Sequence, residues 1–444
     1  IPVAISKLIA EARAKNDRST IKHIYLTASI LALLFGLTSF TLIYSFSDQL
    51  AAALGGPSTK LALVIVAATL LIAPYMAVYR GYFQGFEDMK PTAVSQVLEQ
   101  LIRVGLILFM AYFLVVRDYS NEIVAGGVMV GSIAGALASL IYLRITYVKR
   151  KAKISGGEPY SWQIFWRWGK RILSVSIPIA IGAVTMALLN FVDSFTIPFG
   201  LRSAGASAED VNYIYGIYGR GLSLVQIATV FATSIVLPLI PHMTKKLVEQ
   251  DELGVRQTIE HTHFLTHFLS WPAAFGLLAL TLPLNLALFT NLEGSSMLAI
   301  IGFSSVFTSL TILGTGILQG MNLAKLGAII IIGGVVLKIF TNIFLIKLFG
   351  LDGAAISTLF VYLVLFIVNS RAIYQRMPAN LIDTAVLKMV LASLIMGLVV
   401  GLPTLYFDLE NWSRLFALGY VLLAISVGAL LYFGQLFVFK VIDK

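Results

Sequence analysis

The 444-residue chain contains no cysteine. That excludes a disulfide frame, a thiolate metal site and a cysteine nucleophile. Charge is also scarce. Only 12% of residues are Asp, Glu, Lys or Arg, where a soluble domain carries about 25%. Most of the surface of such a chain cannot face water, so a soluble enzyme and a nucleic-acid-binding module are excluded, despite a net charge of +10 and a pI near 9.5. Disorder is excluded as well, because disordered chains are polar and charge-rich. Phosphate-cradling Walker loops, Gly-x-Ser-x-Gly elbows and His-Glu-x-x-His zinc helices do not occur.

What is present is apolar sequence. Hydrophobic residues make up 58% of the chain, and the mean hydropathy is +0.88. A spanning helix needs about 20 mostly apolar residues. Runs of that kind predict twelve spans, at 21–46, 58–79, 91–116, 121–146, 172–199, 213–240, 259–282, 295–320, 323–348, 351–370, 384–407 and 415–439, after an amphipathic stub at 1–20. Barrel strands would be about ten residues long and alternate in polarity; Leu61–Ala73 and Ala328–Leu337 do neither. The expected fold is therefore an all-α polytopic membrane protein.

The 32 basic residues sort by side. Most fall in connections sharing the side of the stub, Arg80, Lys90 and Arg144 among them. Lys60, Arg117, Arg202, Lys347 and Arg414 lie opposite, and Arg103, Arg220 and Lys338 fall inside spans. The positive-inside rule then predicts that both ends, including the C-terminus, are cytoplasmic. The connection 147–171 joins a polybasic run, Lys149 to Lys153, to a stretch with Trp162, Phe165 and Trp166 on one helical face. This predicts a helix lying in the headgroup layer.

An internal repeat organises the chain. Gly81, Gln84 and Gly85, followed by Lys90 and Ala93, recur as Gly316, Gln319 and Gly320, followed by Lys325 and Ala328, at an offset of 235. Both copies are expected in loops. Ile1-Pro2, Lys7 and Arg18 recur as Ile240-Pro241, Lys246 and Arg256, at offsets of 238–239. The later copy has two spans before its Ile-Pro and the earlier has none, so the expectation is that two preceding helices are missing. The predicted organisation is an N-lobe at 1–146, an interfacial linker at 147–171, a C-lobe at 172–376 and two additional helices at 377–444. The lobes form two parallel pseudo-symmetric six-helix units, the first lacking two helices.

The run Tyr79-Arg-Gly81-Tyr-Phe-Gln84-Gly85-Phe-Glu-Asp-Met89-Lys-Pro91-Thr-Ala93, continuing to Gln100, resembles the signature of MurJ/SpoVB-type lipid II flippases. These belong to the multidrug/oligosaccharidyl-lipid/polysaccharide (MOP) exporter superfamily. Ile1 to Glu11 and Tyr218-Gly-Arg220-Gly resemble further segments of that family. The resemblance implies a transporter, not an enzyme. It would flip an undecaprenyl-pyrophosphate-linked saccharide, lipid II for peptidoglycan, across the bacterial inner membrane by alternating access. An O-antigen or polysaccharide-unit flippase, a multidrug exporter of the same superfamily and a scaffold in a wall-synthesis complex are the alternatives. The expected partners are the lipid-linked substrate and membrane lipids, with no nucleic acid. The protein is expected to be a monomer, with a cell-wall synthesis complex as a further possible setting. No cofactor is expected, and coupling would be to membrane potential or an ion gradient.

Intramembrane ionisable groups are costly and usually face a cavity or a partner. In span 91–116, Gln96, Glu99, Gln100 and Arg103 recur with helical spacing, and Glu99 and Arg103 are i,i+4. The pair serves packing or lines a cavity. Position 103 plus the repeat offset is Lys338, which either faces a cavity or snorkels outward. Arg220 is expected near Asp193, to pair with it or to bind pyrophosphate bidentately. By the resemblance Arg220 matches a family cavity arginine, and Asp193 and Asn342 match a sodium site. Lys338 stands one turn before Asn342, where its ammonium would replace the cation, so no metal is expected. His261, His263 and His267 are read as interface histidines at the end of span 259–282.

Overall fold

The computed structural model describes residues 2–14, 17–54, 56–150 and 160–441. These are helical, with short connections and no strand among them. The chain forms two compact units, Ile1–Ile181 and Gly182–Lys444. The first contains α1 (Pro2–Ala14), α2 (Arg18–Ser45), α3 (Ser47–Leu54), α4 (Lys60–Ala67), α5 (Ala73–Gly85), α6 (Lys90–Val116) and α7 (Asn121–Arg150). Helix α8 (Trp162–Ala183) carries the boundary. The second contains α9 (Thr185–Ser203), α10 (Ala208–Val248), α11 (Glu252–Ala279), α12 (Thr281–Phe289), α13 (Ser295–Gly320), α14 (Ala324–Arg376), α15 (Thr384–Tyr406) and α16 (Arg414–Val438).

Among the described residues nine helical segments are long and apolar enough to cross a membrane, or ten if the α11–α12 pair, bent by 76°, is one span. The difference from twelve has two local causes. Helix α14 runs over two expected spans; Gly350, at φ 56° and ψ −131°, breaks its helical geometry at their junction, in a backbone region open essentially to glycine. The expected span at 172–199 is interrupted at Val184, which separates α8 from α9. The segment Lys60–Gly85 spans as one unit but tightens to a 3-10 turn at Ala68–Leu71. Pro74, at the start of α5, has no N–H to continue the ladder.

Helix α6 shows the solvent these segments are built for. It buries Thr92, Ser95 and Glu99 and exposes Leu101, Leu108 and Tyr112. Polar groups turn inward and apolar ones outward, the arrangement a lipid environment rewards.

The two units repeat local devices. Helices α2 and α11 are each 28 residues long. Each is capped by an aspartate: Asp17 accepts from Thr20 N at 2.9 Å, and Asp251 accepts from Gly254 N at 2.8 Å. The signature glycines lie in the last turns of α5 and α13, not in the loops after them. They are helix-packing positions. A Cβ on Gly81 would stand 2.8 Å from Ile5 Cβ and from Pro2 O of α1, and one on Gly85 2.7 Å from Ile9 Cβ. On Gly316 it would stand 2.5 Å from Val236 Cγ1, and on Gly320 3.1 Å from Met243 Cβ of α10. By the sequence repeat Met243 corresponds to Ala4, five residues before Ile9, and Val236 lies eight residues before the equivalent of Ile5, so the two pairs of glycine contacts do not keep one register. Gln84 and Gln319 are partly exposed, and Pro91 is buried in the first turn of α6.

The first unit's core is aromatic. Tyr147 stacks on Tyr25 at 4.9 Å and meets Tyr82 and Tyr79 at 5.1 and 5.4 Å. Arg144, expected in a loop, lies in α7 and donates to Tyr79 Oη at 2.9 Å. Residues 151–159, with most of the expected polybasic run, lie outside the described residues. In α8, Trp162 and Trp166 are exposed while Phe165 is buried, so the three do not share one exposed face.

Candidate functional site

Three sets of intramembrane ionisable groups can be built from the helices upward. The first centres on Glu99 of α6. Its Oε1 accepts from Arg103 Nη2 at 2.5 Å, the pair expected from i,i+4 spacing. Its Oε2 accepts from Arg80 Nη2 at 2.8 Å. Arg80 was expected in a loop; it lies in α5, where Nε donates to Ser95 Oγ and Nη2 to Ser139 Oγ, each at 3.1 Å. One carboxylate thus serves two guanidiniums and leaves a formal charge of about +1. Arg103 remains one-third exposed, whereas the Arg80 side chain is 14% exposed. Gln96 and Gln100 are exposed on α6, away from the buried face that holds Glu99.

The second set centres on Asp193 of α9. Lys338 Nζ donates to its Oδ2 at 2.7 Å, and both side chains are fully buried. Tyr218 Oη of α10 donates to Oδ2 at 2.9 Å and lies 3.0 Å from Thr358 Oγ1. Asn342 Nδ2 donates to Oδ1 at 2.9 Å and to Thr196 Oγ1 at 2.7 Å. Lys338 therefore neither snorkels nor lines an open cavity. The pairing of Asp193 with Arg220 is also corrected. Tyr218 already points at Asp193, and Arg220, two residues later, is turned about 200° around α10. Helix α9 instead packs closely on α14, where a Cβ on Gly200 would stand 2.8 Å from Ile346. That contact brings Lys338 and Asn342 to Asp193. The lysine ammonium lies directly on the Asp193 carboxylate that also accepts from Asn342.

The third set is Arg220. Nη1 donates to Asn291 Oδ1 at 2.8 Å, and the guanidinium lies 5.1 Å from the centre of the Phe289 ring. Both partners come from the end of α12 and the loop that follows. No carboxylate of the described residues lies within ion-pair distance of Arg220, whereas Arg80, Arg103 and Lys338 each have one.

Of the three histidines expected at the interface, His261 is exposed and two are placed differently. His263 and His267 are buried, and His267 Nδ1 accepts from Trp271 Nε1 at 3.0 Å. His267 packs against Phe366 of α14, so it belongs to the interior of the second unit. Among the described residues no group of three or more potential ligands could hold a metal ion.

The sequence reading missed Arg80 as a partner of Glu99. The available signal was its place at the end of a long apolar stretch, one turn before the signature Gln84.

The family described as polysaccharide biosynthesis protein matches residues 1–246. The membrane protein YabM of Bacillus subtilis (strain 168) is 30% identical over 358 residues, covering 80% of this chain and 66% of the relative. The lipid II flippase MurJ of the same organism is 28% identical over 385 residues, covering 82% and 70%. The chain thus spans about two thirds of the length of these relatives. Among solved structures, an inward-facing multidrug resistance MATE family transporter of the MOP superfamily superposes with a TM-score of 0.68 at 16% identity, covering 84% of this chain and 86% of that one. A lipid II flippase MurJ in an inward closed conformation gives 0.65 at 15% identity, covering 98% and 90%.

Proposed function

Because this chain belongs to the polysaccharide biosynthesis protein family and takes the fold of the MOP-superfamily MATE transporter and of MurJ, we propose that it flips an undecaprenyl-pyrophosphate-linked saccharide, lipid II, across the bacterial cytoplasmic membrane by alternating access. No covalent bond is made or broken.

One observation carries the reading: Arg220 is a cation within the apolar segment Asp210–Ile240, and its described partners are an amide oxygen and a ring face, not a carboxylate. A guanidinium in that state has donors to offer an anion. It binds phosphate bidentately, and at low dielectric the attraction is strong. The same charge disfavours an organic cation, which argues against a multidrug exporter. Arg103, already shared with Glu99, plays the lesser part toward phosphate, and Lys338 is spent on Asp193.

Coupling is assigned to membrane potential or protons. A sodium ion at Asp193 and Asn342 would have to displace a covalently tethered ammonium. The test is rescue of a flippase-depleted strain, read together with lipid II exposed on the outer leaflet. Arg220→Ala should express and fold but fail to rescue; full rescue by that variant would overturn the reading. The family description also covers polysaccharide units. Rescue of a strain lacking an O-antigen-unit flippase, with none of the lipid II strain, would transfer the substrate to that class.

A further inference from the structure

Arg220 is one corner of a larger constellation. We propose that the N-terminal part of α10 and the 290–294 loop form a subsite for a sugar phosphate. In it Arg220 takes the phosphate, and Asn291, Glu293 and Tyr213 take hydroxyls of the attached sugar. The proposal deepens the flippase reading and rests on it.

The loop is held in place from within. Thr290 ends α12 in the left-handed conformation at φ 66°. Gly294 is also left-handed, at φ 69°, and a Cβ there would stand 2.4 Å from Ile217 Cγ2 of α10. Only glycine lets the loop lie this close to the helix. Asn285, fully buried in α12, donates to Glu293 O and to Ser295 Oγ, each at 2.9 Å. So supported, the loop presents two polar side chains to α10. Asn291 Oδ1 accepts from Arg220 Nη1 at 2.8 Å and from Glu293 N at 3.3 Å. The Glu293 carboxylate accepts from Tyr213 Oη.

Tyr213 and Arg220 are i,i+7, hence on one face of α10 and about 10 Å apart along its axis. Tyr213 is 55% exposed and Glu293 is exposed, so a ligand can reach both. The order of groups along this face is guanidinium over an aromatic ring, amide, carboxylate, phenol. A bare diphosphate fits poorly, because its second phosphate would meet Glu293. A simple cation fits poorly, because it would meet Arg220. An anionic head followed by a neutral polyol satisfies both ends: phosphate oxygens accept from the guanidinium, and sugar hydroxyls donate to the carboxylate oxygens and accept from the Asn291 amide N–H. The groups are already hydrogen-bonded into position, so little side-chain freedom is lost on binding.

The experiment compares binding of undecaprenyl pyrophosphate and of lipid II to the full protein in nanodiscs. Wild type should bind the sugar-bearing lipid more tightly. Tyr213→Phe should weaken lipid II by up to about tenfold, the worth of one hydrogen bond, and change bare pyrophosphate by less than about twofold; Glu293→Gln should weaken lipid II by a similar factor and tighten bare pyrophosphate, because the charge opposing its second phosphate is gone. Asn291→Ala should act in the same direction as Tyr213→Phe, while Arg220→Ala should weaken both lipids. Unchanged preference for lipid II in all three sugar-side variants would overturn the subsite. So would equal loss for both lipids, which would reduce the loop to a support for Arg220. Undiminished binding of both lipids by Arg220→Ala would instead remove the flippase reading beneath the proposal.

Discussion

Each unit buries a carboxylate among basic groups, and the two solve the problem differently. In the first, Glu99 is shared by Arg80 and Arg103, with an excess positive charge and one arginine partly open. In the second, Asp193 meets one lysine and two neutral donors, with charge balanced and both side chains of the ion pair sealed. Arg103 and Lys338 occupy equivalent repeat positions, yet one lies at an accessible edge and the other is a closed structural pair. Equivalent position in a repeat therefore does not mean equivalent role. What decides it is whether the carboxylate comes from the same helix four residues away or from a different helix.

The largest expected effect breaks the sealed pair. Asp193→Ala leaves a buried lysine charge without compensation and should cost about 3–5 kcal/mol, measured as thermal unfolding in detergent. The double variant Asp193→Leu with Lys338→Met should recover most of that loss. A single variant as stable as wild type would show that the pair is not closed.

Glu99→Gln should cost less, about 1–3 kcal/mol, because the carboxamide still offers an acceptor oxygen to the arginines and Arg103 is one-third exposed. A double-mutant cycle should assign more coupling to Arg80 than to Arg103. The reverse order would mean that the more exposed arginine dominates the network.

The glycine contacts sharpen the comparison further. Gly81→Ala meets the backbone oxygen of Pro2 and the branched Cβ of Ile5, whereas Gly316→Ala meets only the Val236 side chain among its three nearest atoms. Overpacking costs about 1–3 kcal/mol, and Gly81→Ala should stand at the upper end. Equal melting temperatures would contradict this.

The smallest effect concerns the helix caps. Hydrogen bonds from the Thr20 backbone and side chain hold the Asp17 carboxyl below its ordinary value of 3.8. A depressed folded-state pKa means that the cap stabilises above the ordinary value and is lost as pH falls through the depressed one. Amide exchange at Thr20 should therefore accelerate only in strong acid, and Asp17→Ala should cost about 0.5–1 kcal/mol.

Much of the fold was legible because lipid imposes long apolar runs, and these survive in the sequence without tertiary knowledge. The Glu99–Arg103 pair was legible for a similar reason: its spacing is local. Three features were not. Asp193 meets Lys338 across 145 positions, a pairing set by how α9 packs on α14. Whether Tyr218 or Arg220 faces Asp193 depends on the rotation of α10, which composition does not reveal. The signature glycines looked like loop residues because glycine marks both turns and close helix contacts, and only the neighbouring Ile5, Ile9, Val236 and Met243 show which applies.

The sealed Lys338–Asp193 pair has an electrical consequence. Opposite charges that move together carry no net charge through the membrane field, so the potential does no work on them. An unpaired Arg220 is different: each elementary charge carried across the full potential is worth about 2.3 kcal/mol per 100 mV. In the second unit, sensitivity to voltage would then reside in the residue assigned to the substrate phosphate. The loaded site, with the phosphate charge added, would respond to the field differently from the empty one.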